Sequence, residues 1–514
     1  MADLEKKNVQ AEGVSENGEM SEELQKKLKE LDKESNTAEY KGICAKVIAV
    51  ICICFSLFQI YTGFFGALDA MIQRCVHLSF GICLVYLLCP TKKAWVKEGR
   101  FHPIDVALAV LAMIPPIYIL VNYQQLILRA GTVTPTDTVI GVLGIVMIIE
   151  AARRIVGLPI VIVVCCFLAY GFFGPYLPGP LAHRGLTIKQ MVGHLFFTTE
   201  GVFGIPMGVS STFIFLFILF GAYLEKTGLG KFFIDIANAI AGWASGGPAK
   251  VAVISSALQG TISGSSVANV VGSGSFTIPM MKKTGYPPEF AGAVEAASST
   301  GGQIMPPIMG AAAFIMAEMT GYEYADIIVR AILPAFLYFL GIFLGVHFKA
   351  KKLGLVGLKR EELPKWKLLL PKIYLLLPLV VLTWMVVAGQ TMAKSAIYGT
   401  IVAIVVGIIN KDDRMTPSKF VNGLENGGKN CLSIGIACGI AGIISVCITM
   451  TGLGGKLITY VVKLSGGNLF IALFLTMICC IILGMGVPTT ANYIIMASTC
   501  APILINGMGM HLSL

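Results

Sequence analysis

A cluster of hydroxyl and amide side chains interrupts an uncharged stretch of this sequence. The stretch runs from Val251 to Met281, and glycine, serine, threonine and asparagine are concentrated in its middle. In apolar surroundings, backbone that leaves the helical conformation must be buried in protein or line a cavity. Its carbonyl groups, together with hydroxyl and amide oxygens, are suitable ligands for a hard cation such as Na⁺. The candidate ligands in this segment are Ser263, Gly264, Ser265, Ser266, Asn269 and Ser273.

A second interruption follows between positions 297 and 307. Two glycines and two adjacent prolines fall there, and each proline removes a backbone donor. A helix that begins near Pro288 is therefore predicted to be discontinuous, and the partial positive charge of a helix N-terminus at the break would attract a carboxylate. Packing of small residues between helices also enriches glycine and serine, but it does not explain the two prolines. The candidates here are Ser298, Thr300, Gly302, Pro306 and Pro307.

Glu295 lies one turn before the second interruption. An ionisable side chain within an apolar span favours a functional role, so Glu295 could orient an ion or carry a proton. The sequence contains no Walker A loop, no Ser/His/Asp combination and no CxxC pair among its fourteen cysteines. We therefore predict neither an enzyme nor an ATP-driven pump, and no organic cofactor.

The composition predicts an all-α polytopic membrane protein. Hydrophobic residues make up 55% of the chain and charged residues only 13%, whereas soluble domains contain roughly one quarter charged residues. The net charge is +10, and residues 1–41 are acidic, so the remainder carries 32 basic and 18 acidic residues. Because these basic residues are dispersed in loops between apolar stretches, they indicate membrane topology rather than nucleic-acid binding.

Hydropathy divides the chain into three regions. Residues 1–42 form a polar extension in which Ser21–Glu34 is either a partner-binding helix or part of a solvated tail. Residues 43–180 contain about five spans, and the basic residues before the first span and after the second place the N-terminus in the cytoplasm. Residues 181–514 form a larger region that follows a segment rich in glycine and proline. The five spans are predicted at 43–64, 75–90, 104–123, 136–152 and 156–175.

The larger region contains an internal repeat in its sequence. Thr227–Gly230 recurs as Thr451–Gly454, and Ala268-Asn269 recurs as Ala491-Asn492 with a single gap between the two alignments. Chance similarity among glycine-rich membrane helices is an alternative explanation. Interrupted hydrophobic segments in matching positions of two halves favour the binding site of a transporter. We predict an inverted repeat of re-entrant hairpins and broken helices, with halves at about 201–347 and about 395–514.

Three segments of the chain resemble the fused permease of TRAP (tripartite ATP-independent periplasmic) transporters of the TAXI subfamily. They are Val209–Gly221, Asn269–Tyr286 and Pro288–Gly310. The resemblance implies that 43–180 corresponds to the small membrane subunit and 181–514 to the large one. It also implies Na⁺-coupled, elevator-type transport of organic acids such as glutamate-like compounds, delivered by an extracytoplasmic TAXI-type binding protein at a bacterial or archaeal inner membrane.

The resemblance also implies two ion sites. The first lies at 263–269 together with the break at 300–307, and the strongest Na⁺ candidates are Ser265, Asn269 and Thr300, with Asn492 in the second site. The counterpart of 287–347 would begin at about 510, so the C-terminal part of the second repeat is expected to be missing and the second site to be incomplete. The second site comprises Gly484, Gly486, Thr489, Thr490 and Asn492.

Two other functions are compatible with the same residues. A Na⁺/dicarboxylate symporter that needs no binding protein would use a similar pair of hairpins. A membrane scaffold without transport would use the small residues for packing alone. Loss of ion dependence after mutation of Asn269 and Ser265 would favour either transporter over the scaffold.

Overall fold

The computed structural model describes residues 38, 40–91, 100–129, 131–359, 361, 363–485 and 487–507. The predicted helix Ser21–Glu34, most of the polar extension, most of the basic loop after the second span, Gly486 and the last seven residues lie outside this range.

The first five predicted spans coincide with five helices of the structure, and four of these are long and apolar enough to cross a bilayer. Each apolar stretch forms one helix, and two of the helices begin with proline at their first position, where a missing N–H costs nothing. Thr134 forms a reciprocal capping pair with Asp137 at the start of the fourth span. The α-helices as far as position 196 are α1 (Ile43–Phe65), α2 (Ala70–Leu88), α3 (Pro103–Val121), α4 (Tyr123–Leu128), α5 (Pro135–Ile155), α6 (Leu158–Phe173) and α7 (Ile188–Phe196).

The chain segment 205–225, which follows α7, forms a helix whose hydrogen-bonding pattern changes partway along. A π-turn at Ser210–Ile214 separates its two α-helical parts. The α-helices from there to position 353 are α8 (Ile205–Val209), α9 (Phe215–Glu225), α10 (Leu229–Ala241), α11 (Gly247–Ser263), α12 (Ser266–Lys283), α13 (Pro288–Gly301), α14 (Ala311–Thr320) and α15 (Tyr324–Leu353). Those that follow are α16 (Trp366–Leu369), α17 (Leu377–Val387), α18 (Met392–Ile409), α19 (Pro417–Asn430), α20 (Leu432–Thr451), α21 (Leu453–Ser465), α22 (Leu469–Gly484) and α23 (Thr489–Thr499).

The prediction of an all-α polytopic membrane protein is confirmed. All secondary-structure elements of the described residues are helices. Nine helical segments there are long and apolar enough to cross a bilayer. None of the fourteen cysteines, all of which lie in the described ranges, forms a disulfide bond. The sequence predicts that the uncharged stretch from Val251 to Met281 is interrupted. The structure agrees, since the stretch is divided between α11 and α12.

The described residues form two compact units. Unit I contains Leu216–Ala313 and Tyr322–Gly427, and unit II contains the described parts of Thr37–Phe215, Phe314–Gly321 and Gly428–Leu514. In unit II, α20 packs against α2, α5, α6 and α23. The helices of the predicted small-subunit region therefore share a unit with a helix from the larger region, while the boundary at 180 stays a prediction.

In unit I, α11, α12 and α13 pack against one another, and α15 packs against α11 and α13. Small and apolar side chains fill the space between them, including Ala249, Ala252, Ala291 and Val346. Alanine at these positions lets the helices approach closely, as is common where membrane helices pack. This three-helix arrangement positions the candidate site.

Candidate ion-binding site

Helices α11 and α12 form a hairpin with a very short tip. Gly264 ends α11 in the left-handed conformation, with φ 56°, and Ser265 caps α12 by accepting a hydrogen bond from the Ala268 N–H. A Cβ atom at position 264 would lie 2.0 Å from the Met309 carbonyl oxygen. Only glycine therefore fits at this tip, for conformational and for steric reasons.

The predicted interruption after Pro288 is present. Helix α13 begins at Pro288 and ends at Gly301, and the next helix begins only at Ala311. Within the break, the Gly310 N–H donates to the Gln303 carbonyl at 2.8 Å. The Gln303 side-chain amide donates to the Ser266 hydroxyl at 3.2 Å, which joins the break to the tip of the hairpin.

The backbones of α11 and of the break approach each other without side chains between them. A Cβ atom at Gly260 would lie 2.3 Å from the Gly302 Cα. A Cβ atom at Gly302 would in turn lie 2.9 Å from the Asn269 side-chain nitrogen. Glycine at both positions thus brings α11, α12 and the break into direct contact.

Asn269 points into this contact region and is 1% exposed. Its side-chain N–H donates to the Ser256 carbonyl at 2.9 Å, but its Oδ1 is buried and accepts no hydrogen bond from the described residues. The Ser298 hydroxyl is also buried without a partner among them. Ser298 lies one turn before Gly302, so it is on the face of α13 that meets Asn269. Asn269 Oδ1 and Ser298 Oγ, at the contact between the hairpin and α13, are thus available to a ligand.

Glu295 occupies a separate cluster of hydroxyl groups. It is fully buried, and its two carboxylate oxygens lie within hydrogen-bonding distance of four hydroxyls from three helices. These contacts are to Ser256 at 3.2 Å, Ser299 at 3.1 Å, Thr277 at 2.5 Å and, at shorter range, Ser273. Ser273, which the sequence grouped with the ion ligands, therefore belongs to the Glu295 cluster.

The remaining candidates of the first site lie around this contact region. Thr300 is exposed and its hydroxyl donates to the Ala296 carbonyl at 2.8 Å. The Ser263 hydroxyl donates to the Ser265 carbonyl at 3.3 Å. The Pro306-Pro307 bond is cis, and the Tyr324 hydroxyl donates to the Pro307 carbonyl at 2.9 Å. These residues shape the tip and the break.

The candidates of the second site lie in unit II, around the end of α22 and the start of α23. Thr490 is buried, Thr489 is exposed, and Gly486 lies outside the described residues. The Oδ1 of Asn492 is buried and has no hydrogen-bond partner in the described part of the chain. A Cβ atom at Gly484 would lie 3.3 Å from the Asn492 side-chain nitrogen.

Sequence reasoning missed Ser256, Gly260, Thr277 and Ser299. Asn269, Ser273 and Thr277 follow one another at intervals of four, as do Glu295 and Ser299, so each set occupies one helix face. This spacing could have identified Thr277 and Ser299. Gly260 and Ser256 give no such signal, because their roles depend on which helices they meet.

The chemistry of the site suits a hard cation. No group of three or more His, Cys, Asp or Glu side chains that could hold a metal ion occurs in the described ranges. The available ligands are neutral amide, hydroxyl and carbonyl oxygens, which suit alkali and alkaline-earth cations rather than zinc or copper.

Comparison with known proteins identifies relatives of the chain. The family model "Tripartite ATP-independent periplasmic transporter, DctM component" matches residues 143–512. The C4-dicarboxylate TRAP transporter large permease protein DctM of Pseudomonas aeruginosa is 29% identical over 196 residues, which cover 37% of this chain and 45% of the relative. The protein of the same name from Vibrio cholerae is 32% identical over 151 residues, covering 29% of this chain and 32% of the relative.

A further relative is the isethionate TRAP transporter permease protein DctMQ of Oleidesulfovibrio alaskensis. It is 27% identical over 169 residues, which cover 31% of this chain and 26% of the relative. The chain thus spans less than half the length of each of these relatives.

The family match extends over both candidate sites and begins before the predicted boundary at 180. It confirms the resemblance to TRAP transporters at the level of the family. Because the match covers well over half of the chain, the protein belongs to the DctM family of tripartite ATP-independent periplasmic transporters, which are transport permeases and not enzymes.

Proposed function

We propose that this chain is the permease of a secondary transporter that couples Na⁺ to the movement of a small organic acid. The observation that carries the proposal is the pair of buried, unpartnered oxygens of Asn269 and Ser298, where the hairpin meets the break. Buried polar atoms without a partner are rare and favour a missing ligand. Carbonyl, amide and hydroxyl oxygens at a helix interruption are suitable for a dehydrated Na⁺.

The proposed substrate is an anionic organic acid of the carboxylate class, such as a glutamate-like compound. The names of the relatives refer to C4-dicarboxylates and isethionate, which are both anions of organic acids. The N-terminus of α12, at the tip of the hairpin, would provide partial positive charge for the carboxylate of the substrate. We further propose that a TAXI-type extracytoplasmic binding protein delivers the substrate.

The proposed architecture is an inverted repeat with two hairpins. Helices α10 and α21 each contain 13 residues and each begin after a left-handed glycine, Gly228 and Gly452. Asn269 and Asn492 are each the fourth residue of the helix that follows the hairpin tip, and each has an unpartnered buried Oδ1. These local similarities support the repeat and a second ion site at 484–492. Fusion of the small and large subunits and elevator-type movement are part of the same proposal.

Binding of radioactive Na⁺ to the purified full chain tests the first ion site without requiring transport. Asn269→Ala removes the Oδ1 atom, so we expect the Na⁺ concentration for half-saturation to rise at least about tenfold, equivalent to about 1.4 kcal/mol. Asn430→Ala, an exposed residue at the end of α19, is the matched control and should bind like the wild type. Na⁺ binding unaffected by Asn269→Ala would contradict the assignment.

Uptake into proteoliposomes tests the transport function. We expect uptake of a C4-dicarboxylate or glutamate-like acid only when Na⁺ and a matching binding protein are both present outside. Uptake without the binding protein would favour the symporter alternative. An uptake rate equal to that of empty liposomes under all conditions would favour the scaffold.

A further inference from the structure

We propose that Glu295 is a proton-exchanging site that is separate from the Asn269–Ser298 cation site. This inference rests on the proposed transport function and adds a second ion, H⁺, to it. The site consists of one carboxyl group and four hydroxyls, contributed by α11, α12 and α13 of unit I.

The first argument concerns the partners of Glu295. A buried charge that serves only the fold is normally paired with a basic side chain or a metal ion. The described residues give Glu295 four hydroxyl partners and no basic one. Hydroxyl groups can rotate to donate or accept a hydrogen bond, so the same heavy atoms can surround a carboxylate or a neutral carboxylic acid.

The second argument is a count of hydrogen atoms around Thr277. Its hydroxyl has one hydrogen, but it lies 3.0 Å from the Ser273 carbonyl and 2.5 Å from Glu295 Oε2. If Glu295 is ionised, both neighbours are acceptors and only one contact can be a full hydrogen bond. If Oε2 carries a proton, Glu295 donates to Thr277 and Thr277 donates to the carbonyl, so both contacts are satisfied.

On loss of the proton the Thr277 hydroxyl can turn to donate to Oε2. The Ser273 hydroxyl can likewise donate to either of two acceptors, a Glu295 carboxylate oxygen or the Asn269 carbonyl at 2.8 Å. Rotation of these hydroxyl groups alone can therefore accommodate both the neutral and the ionised form of Glu295.

The other charged groups of α11, α12 and α13 lie at least five residues from the cluster residues along their own helices. Lys250 of α11 lies over the Phe343 ring and is six residues from Ser256, about 9 Å along the helix. On α15, the Tyr338 hydroxyl donates at 2.8 Å to the carbonyl of Ala297, two residues after Glu295. The other charged or titratable groups of these four helices are Lys282 and Lys283 on α12, Glu289 on α13, and Tyr324, Asp326, Arg330, His347, Lys349, Lys351 and Lys352 on α15.

Infrared difference spectroscopy of the purified full chain during a pH titration tests proton exchange directly. We expect the carbonyl stretch of a buried protonated carboxyl to appear as the pH is lowered. The band should be absent from Glu295→Gln and present in Glu289→Gln, which alters an exposed carboxyl on the same helix. Thr277→Val should shift the band and its pH midpoint, because it removes the group that shares the proton.

Each result decides the proposal. A titrating band that survives Glu295→Gln would overturn it, as would a Glu295 band that stays constant over the whole pH range in which the protein is folded. If Glu295→Gln does not fold, the shift in Thr277→Val decides, and an unchanged band in that variant would refute the site.

Uptake measurements extend the test to coupling. An acidic outer solution should accelerate uptake by the wild type and by Glu289→Gln but not by Glu295→Gln, whose Na⁺ dependence should remain. Equal acceleration in all three proteins would contradict a coupled proton. Failure of wild-type uptake under every condition would contradict the transport function instead, and the infrared result would still decide on proton exchange.

Discussion

Arg154 is a deeply buried basic residue of unit II. Its side chain is 1% exposed and donates to Asp105 at 2.8 Å, to Glu150 at 2.9 Å and to the Cys89 carbonyl at 3.0 Å. It also lies 4.6 Å from the centre of the Tyr86 ring. One guanidinium group thus joins the end of α2 and the start of α3 to the end of α5.

Replacement of Arg154 by methionine is predicted to destabilise the protein strongly. The change leaves the buried carboxylate of Asp105 without its cation, which costs about 3–5 kcal/mol in comparable buried pairs. Arg153→Met is the matched control, since Arg153 is 42% exposed and its ion pair with Glu150 is worth about 1 kcal/mol or less. Thermal unfolding in detergent should show a large drop in unfolding temperature for Arg154→Met only. Equal losses would contradict this account.

Ser256 connects the two proposed ion sites through different atoms. Its carbonyl accepts from the Asn269 side chain, and its hydroxyl donates to Glu295. Ser256→Ala keeps the carbonyl and removes the hydroxyl. We therefore expect the pH midpoint of the Glu295 carboxyl band to change. The affinity for Na⁺ should stay within about twofold of the wild type, which is a small difference in binding free energy. A loss of Na⁺ affinity together with a shifted band would show that the two sites are not separate, and an unchanged band would contradict the role of the Ser256 hydroxyl at Glu295.

At the scale of the helices, the contact between Gly260 and Gly302 determines how the hairpin fits the break. Gly260→Ala would place a Cβ atom 2.3 Å from the Gly302 Cα, so the helices must move apart. We expect a loss of about 1–3 kcal/mol, as for other overpacked sites, together with weaker Na⁺ binding. Thermal unfolding and Na⁺ binding measure the two effects.

Gly292→Ala is the control for this prediction. Gly292 lies within α13, and no atom is within 4 Å of the position its Cβ would take. Alanine there should leave Na⁺ binding unchanged and stabilise the helix by up to about 1 kcal/mol. If both variants behave alike, helix propensity and not the close approach explains the result.

The helices and their interruptions were predictable from local signals. Apolar length defines the first five spans, and glycine and proline define the tip at Gly264 and the break after Gly301. The partners of Glu295 were only partly predictable: the spacing of Ser273 and Thr277 marks one face of α12, but nothing in the sequence marks Ser256 on α11. Which faces of packed helices meet depends on side-chain volume along their whole length, and no single motif contains this information.

At the scale of the whole molecule, many large apolar side chains are exposed. In α15, Val329, Leu333, Phe336 and Leu337 all have more than half of their surface accessible. A soluble protein rarely exposes so continuous an apolar surface. These faces are suited to contact with lipid, in agreement with the nine candidate spans of the described residues.

The distribution of basic residues predicts the orientation of the chain. Lys349, Lys351 and Lys352 lie at the end of α15 and should be cytoplasmic. Fusion of a fluorescent protein after Gly354 should therefore give fluorescence, and fusion of alkaline phosphatase after Pro178 should give an active phosphatase outside. The opposite pattern of reporter activity would refute this orientation.

The close approach of Gly260 and Gly302 also has a genetic consequence. Every possible replacement of a glycine adds at least a Cβ atom, so no missense change in either codon preserves the contact between the two backbones. The two codons should therefore tolerate only synonymous substitutions under selection for transport. The codon of Gly292, ten positions before Gly302 in the sequence, should tolerate a change to alanine, because nothing lies within 4 Å of the added Cβ.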